Sequence, residues 1–169
     1  MVKSWGVMPR LVLLVLAGGA LLGGCAGGTT LSRARLDGLR SQGVAPDMVY
    51  LVDLRGYEPV EQSMSVYNDN GFQTFYLSAE GRQVWFGVDR GAFSDALCRE
   101  RPVHDAEPPA APVSCEADDV GWYRVSGGRH EYAVVEDGHV IRLSGLRADV
   151  DRATLKEAMS TLQPQTARP

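Results

Sequence analysis

The sequence predicts an α+β domain: an antiparallel β-sheet built from two three-stranded meanders, one C-terminal helix packed on it, and one disulfide. Three observations carry this. Between residues 64 and 88, and again between 122 and 144, short alternating runs are punctuated by Asn70-Gly71, Glu80-Gly81, Gly127-Gly128 and Asp137-Gly138. That is the pattern of half-buried strands joined by hairpin turns. After Asp151, apolar residues recur at helical spacing, and Cys98 and Cys115 flank a Pro-rich stretch with little apolar content of its own.

Taken in order, Met48 to Leu54 is rich in aliphatic and β-branched residues and ends at Gly56, so it reads as a strand. If Asn70-Gly71 and Glu80-Gly81 are two-residue turns, Val66 faces Phe75, Phe75 faces Phe86 and Leu77 faces Val84. Met64, Val66, Phe75, Leu77, Val84, Phe86 and Val88 then share a core face. Ser65, Tyr67, Thr74, Tyr76 and Trp85 share the other. A helical turn is expected between Gly91 and Glu100, and an irregular loop from Arg101 to Val113, which holds Pro102, Pro108, Pro109 and Pro112. In the second meander, Trp122 to Val125, Glu131 to Val135 and Val140 to Ser144 put Tyr123, Val125, Tyr132, Val134, Ile141 and Leu143 on one face. Arg124 faces Glu131 on the other. The closing helix is expected from Arg152 to Gln163, capped by Asp151, stapled by Val150 and Leu155, and stopped by Pro164.

The front of the chain has a different character. Lys3 and Arg10 precede an uncharged run from Leu11 to Leu22, a signal-peptide core too short for the roughly 20 apolar residues of a membrane span. Leu22-Gly23-Gly24-Cys25 resembles the lipobox of bacterial lipoproteins. The resemblance implies cleavage before Cys25, a diacylglycerol group on its sulfur and, with two or more acyl chains, stable anchoring. Residues 1–24 are therefore read as leader, 25–45 as lipidated N-terminus and flexible tether, 46–164 as one extracytoplasmic domain, and 165–169 as a disordered tail. Leu31 to Arg40 within the tether is a candidate short helix carrying Arg33, Arg35 and Arg40. Outside the cytoplasm, the pair left after Cys25, namely Cys98 and Cys115, is most simply a disulfide.

Composition narrows the partners. Losing Lys3 and Arg10 with the leader lowers the basic count from 17 to 15 against 21 acidic residues. Nucleic acid is excluded as an expected partner, because phosphate binding calls for a basic patch.

A looser likeness extends along the mature chain. Cys115, Gly121-Trp122-Tyr123-Arg124, His130-Glu131-Tyr132, Asp137-Gly138-His139-Val140-Ile141-Arg142 and the closing helix resemble uncharacterised membrane lipoproteins of actinobacteria. The plan, with Gly56-Tyr57 before a small antiparallel sheet and Leu162-Gln163-Pro164 after the last helix, is similar to an extracytoplasmic domain of Gram-positive lipoproteins and anti-sigma factors. The resemblance implies location and fold and brings no catalytic residue.

Site chemistry is sparse. His130 and His139 fall about 20 Å apart along their hairpin at roughly 3.3 Å per residue, too far to share a metal ion, and His104 sits in the Pro-rich loop. Asn68-Asp69-Asn70-Gly71 lacks the later Glu of a calcium loop and reads as a turn, and Asp118-Asp119 as a solvated one. Neither a Gly-x-Ser-x-Gly elbow nor a phosphate loop is present. The distinctive feature is Tyr67, Tyr76 and Trp85 together on the polar side of the first meander. They form either a binding patch or a second core covered by the other meander or by the loop from Arg101 to Val113. The expectation is thus a non-enzymatic domain without cofactor or metal, lipid-anchored on the outer face of the cell membrane and binding an envelope protein, polymer or small ligand. The alternative is a regulatory or sensory accessory of an envelope signalling or transport system, with a hydrolase of unrecognised site as a third reading.

Overall fold

The computed structural model describes residues 30–166. The leader, the Leu22–Cys25 motif and Cys25 lie outside the described residues. Helix α1 spans Arg33–Ser41, and its N-cap Ser32 accepts the Arg35 N–H at 3.2 Å. Leu31, Leu36, Leu39 and Val44 are all in the main core. This corrects the tether reading for residues 31–45. The Gly-rich stretch before Thr30 drew that boundary too late, whereas the Leu36/Leu39 stripe of α1 is anchored by burial against the sheet.

A 3₁₀ turn, Pro46–Met48, takes the first residue of the expected strand from Met48 to Leu54, of which only Tyr50–Leu51 forms a strand, β1. There follow β2 (Tyr57–Pro59), β3 (Ser65–Tyr67), β4 (Gly71–Ser78), β5 (Gln83–Arg90), α2 (Asp95–Glu100), β6 (Ser114–Ala117), β7 (Trp122–Ser126), β8 (Arg129–Glu136), β9 (His139–Leu146), α3 (Arg152–Met159) and β10 (Gln163–Pro164). Strands β2 to β9 form one antiparallel sheet in the order β2-β4-β5-β9-β8-β7-β6, with β3 pairing the other half of the β4 edge. The two meanders are thus joined by their last strands, β5 against β9.

Helix α3 starts where expected: Asp151 accepts the Thr154 N–H at 2.7 Å. It ends at Met159, short of Gln163, because the Ser160 and Thr161 hydroxyls turn back onto the carbonyls of Glu157 (2.6 Å) and Ala158 (2.7 Å). The freed segment becomes β10, which pairs with β1. Nor does the fold stop at Pro164. Gln165 is buried, gives its N–H to the Val49 carbonyl at 2.7 Å and accepts the Leu31 N–H on its side chain at 3.0 Å. The expected disordered tail therefore begins too early, because Gln165 closes the two ends of the domain together.

The second meander has the expected register: Tyr123 faces Tyr132, Arg124 faces Glu131 and Val134 faces Ile141. Its turns are two residues long, with Gly127 at φ 57°, and Asp137 and Gly138 at φ 50° and 77°. The first meander does not. Tyr67 pairs with Gly71 and Ser78 is bonded across to Arg82, so both loops hold three residues, with Asn68 and Gly81 at positive φ. Gly71 serves the strand instead of the turn, since a Cβ there would lie 2.3 Å from the Val88 carbonyl oxygen.

Relative to the expected pairs, β4 moves by three residues against β3 and by one against β5: Val66 faces Phe72, and Phe86 faces Thr74. Both shifts are odd, so β4 turns over while its neighbours keep their faces. Phe72, Thr74 and Tyr76 point into the main core with Val84, Phe86 and Val88, and Phe75 and Leu77 go to the far side. Tyr76 is fully buried, and its hydroxyl accepts the Val52 N–H at 3.0 Å and donates to the Val52 carbonyl at 3.1 Å. Tyr76→Phe leaves both backbone groups unsatisfied and is expected to cost about 1–3 kcal/mol in urea denaturation. The same change at partly buried Tyr67 should cost less, and equal effects would contradict the register described.

Candidate functional site

One face of the sheet is covered by α1, β1, β10 and α3. The other is covered by α2 and the loop that follows it, and there the remaining sequence-derived candidates meet. Cys98 at the buried face of α2 is joined to Cys115 on β6, so the expected disulfide is present. Next to it lies a fully buried ion pair, Arg124 of β7 with Glu131 of β8. Arg124 also donates from Nε to the Cys98 carbonyl at 3.1 Å and from Nη2 to the Arg101 carbonyl, while Glu131 Oε2 accepts the His104 N–H at 3.2 Å. One ion pair therefore fixes three points of the segment from Cys98 to His104. Burial pulls the Arg124 guanidinium below its usual range, and the Glu131 charge opposes that pull.

With the loop held, His104 lies flat on Trp85, the ring centroids 3.6 Å apart and the planes within 10°. Trp85 sits across Gly87, where a Cβ would come within 2.2 Å of the indole, and its Nε1–H donates to Gln73 at 3.1 Å. Tyr67 meets the indole edge-on at 5.3 Å, and Arg142 lies 5.1 Å from its centroid while donating to the Tyr67 hydroxyl at 2.8 Å. Burial lowers the His104 pKa, against the pull of Asp105, whose carboxylate is 3.4 Å from its Nε2.

The expected trio is therefore divided. Tyr67 and Trp85 are together, but Tyr76 is on the opposite side of the sheet, and Trp85 is only 2% exposed. Of the two readings the sequence left open, the structure has the second core, roofed by the loop around His104. Sequence reasoning missed His104 and Arg142 as partners of Trp85. Neither was findable from local pattern: Arg142 reaches Trp85 only because β5 pairs with β9, and His104 only by the path of the loop.

The histidines sit in separate environments. His130 is packed in the main core with Nδ1 2.9 Å from the Tyr123 hydroxyl, and burial lowers its pKa to about 4. His139 contacts the Tyr50 hydroxyl at 3.4 Å and Asp47 at 3.3 Å, and Asp47 is itself gripped by Arg90. Among the described residues, no group of three His, Cys, Asp or Glu side chains is placed to hold a metal ion. Asp118 is not a solvated turn residue but the hub of an ion network: it accepts the Val120 and Gly121 amides and the Tyr132 hydroxyl and meets Lys156 and Arg152 of α3. Burial alone would raise its pKa, yet these bonds hold it well below the usual carboxylate range.

These features define a class by architecture: a disulfide-closed antiparallel sheet with a core on each face. No family model, curated protein or solved structure matches the chain.

Two outcomes follow. Trp85→Ala removes a buried indole and the seat of His104, so it should destabilise by about 3–5 kcal/mol and speed amide exchange from Arg101 to Ala106. Near-wild-type stability would contradict the second core. The second concerns acid. The unfolded chain takes up a proton at His130 near pH 6.5, the folded one only near 4, so stability should fall as pH drops through that window, by about 3 kcal/mol for this group. Denaturation series at pH 7, 5.5 and 4 should show a shallower loss in His130→Gln, and parallel slopes would refute the assignment.

Proposed function

We propose that the chain is a lipoprotein, held by acyl groups on Cys25 to the outer face of the cell membrane, and that its domain is a non-enzymatic binding module of the envelope. One observation carries the reading. Of the three cysteines in the sequence, Cys98 and Cys115 are joined to each other, which leaves Cys25 for other chemistry, at the end of a leader-like run and in a lipobox-like context. The disulfide agrees with maturation in an oxidising compartment. The likeness to actinobacterial membrane lipoproteins points the same way.

The binding half of the reading rests on how the polar interior is used. The buried or strongly shifted groups His104, Arg124, His130 and Asp118 each take part in contacts that hold one element to another. With Leu31 already packed, five residues lie between Cys25 and the core, a reach of about 20 Å at the extended spacing. Anchored so, the module would work close to the bilayer surface, not at the end of a long tether.

Expression in a Gram-positive host tests this directly. The wild-type product should partition into detergent and yield an N-terminal peptide beginning at acylated Cys25, while Cys25→Ala should be released into the aqueous fraction. A native product that retains Met1 and carries an unmodified Cys25 would end the reading.

A further inference from the structure

The two sulfurs of the disulfide differ in access. Cys98 is wholly buried on α2, in a small cluster with Phe93, Ala133 and Val140, whereas Cys115 is only partly buried on β6, the last strand at its edge of the sheet. A depression of about 300 Å³ opens there, lined by Cys115 and Ala117 of β6 and by Asp95 and Arg99 of α2. A small molecule in solvent therefore meets one cysteine and not the other.

The two charges in the depression are used differently. Asp95 is turned to Trp122 and accepts its indole N–H at 2.6 Å, while Arg99 is exposed and makes no ion pair with the described residues. A free guanidinium thus stands beside the accessible sulfur. It favours an anion where a nucleophile has to arrive, and the nucleophile in disulfide exchange is a thiolate.

Burial couples that chemistry to the fold. Attack at Cys115 forms a bond from the incoming sulfur to Cys115 Sγ, breaks the bond to Cys98 Sγ and leaves the electron pair on Cys98 as a thiolate, with no further oxidant or reductant consumed. A thiolate is poorly placed among Phe93, Ala133 and Val140, so Cys98 gains hydration by α2 lifting from β6. The start of the roof goes with it, since the Cys98 and Arg101 carbonyls are what Arg124 holds. No residue of α2, or of the loop as far as His104, belongs to the main core, so the opposite face of the sheet has no part in the change.

We propose that Cys115 is a thiol-exchange site, modified by a low-molecular-weight thiol entering between α2 and β6, and that the disulfide is a latch whose opening lifts the roof from Trp85. The site goes beyond the binding reading and does not depend on the state of Cys25.

The test uses the full chain with Cys25→Ala, which leaves Cys98 and Cys115 as its cysteines. The folded protein is treated with excess 2-mercaptoethanol at neutral pH, quenched with iodoacetamide and mapped by mass spectrometry. The mercaptoethanol adduct is expected on Cys115 and the alkyl group on Cys98. The reverse assignment, an even mixture, or reaction only at the rate of global unfolding would each overturn the site. Arg99→Gln, an exposed change that should keep the melting temperature, is expected to slow exchange about threefold in the folded chain and not in the urea-unfolded one. An unchanged rate in the folded variant would overturn the role given to the depression.

The latch is read by NMR. In the oxidised chain the indole shifts the His104 ring signals upfield. On exchange, and in Cys98→Ser/Cys115→Ser, they should return towards the positions of free histidine, and amide exchange from Asp95 to His104 should rise about tenfold or more while β4, β5 and β9 stay protected. Unchanged His104 signals once the disulfide is open, or loss of protection in those three strands as well, would overturn the latch.

Discussion

The buried pair of Arg124 and Glu131 is the constraint on which the far side of this protein depends. Placing two charges out of water costs several kcal/mol per ion, and their attraction repays that only when the remaining donors and acceptors are satisfied. Here they are satisfied by the backbone of the segment that covers them: the carbonyls of Cys98 and Arg101 and the amide of His104. The sheet and its roof therefore need one another. Without the loop the charges would lie open to solvent on a bare sheet, and without the charges a Pro-rich segment of little apolar content would have nothing to hold it. The disulfide fixes the start of the roof to β6, and the His104–Trp85 stack fixes its middle.

With that roof in place, a sheet that would have one wet face has two dry ones. The main core is aliphatic and aromatic, drawn from α1, β1, α3 and the inward residues of both meanders. The second is smaller and more polar, with cations lying on rings: Arg142 over Trp85 and Tyr67, Arg124 and Arg101 near Phe93. Outside both cores, Arg152 and Lys156 tie α3 to the turn at Asp118, with Arg152 also bidentate on Glu116 of β6.

How far the fold was legible depended on loop length. Gly127-Gly128 and Asp137-Gly138 admit two-residue hairpins, and every facing pair read from them stands, Arg124 with Glu131 included. Asn70-Gly71 looks like the same signal. Its glycine is instead needed where β4 passes the Val88 carbonyl, and the turn moves to Asn68, Asp69 and Asn70. A shift of an odd number of residues changes no local preference, yet it reverses the faces of a strand, and Tyr76 left the expected patch for the core on that account.

The amino-acid sequence alone determined the local decisions: the strands of the second meander, the Asp151 cap, the likeness of Leu22–Cys25 to a lipobox, and the pairing open to Cys98 and Cys115. These depend on neighbours a few residues apart, and side-chain chemistry at fixed spacing expresses them. Tertiary structure alone decided that α1 belongs to the body, that β5 lies beside β9, and that His104 reaches Trp85. Each brings together residues tens of positions apart, where burial of a shared surface, not local preference, selects the partner.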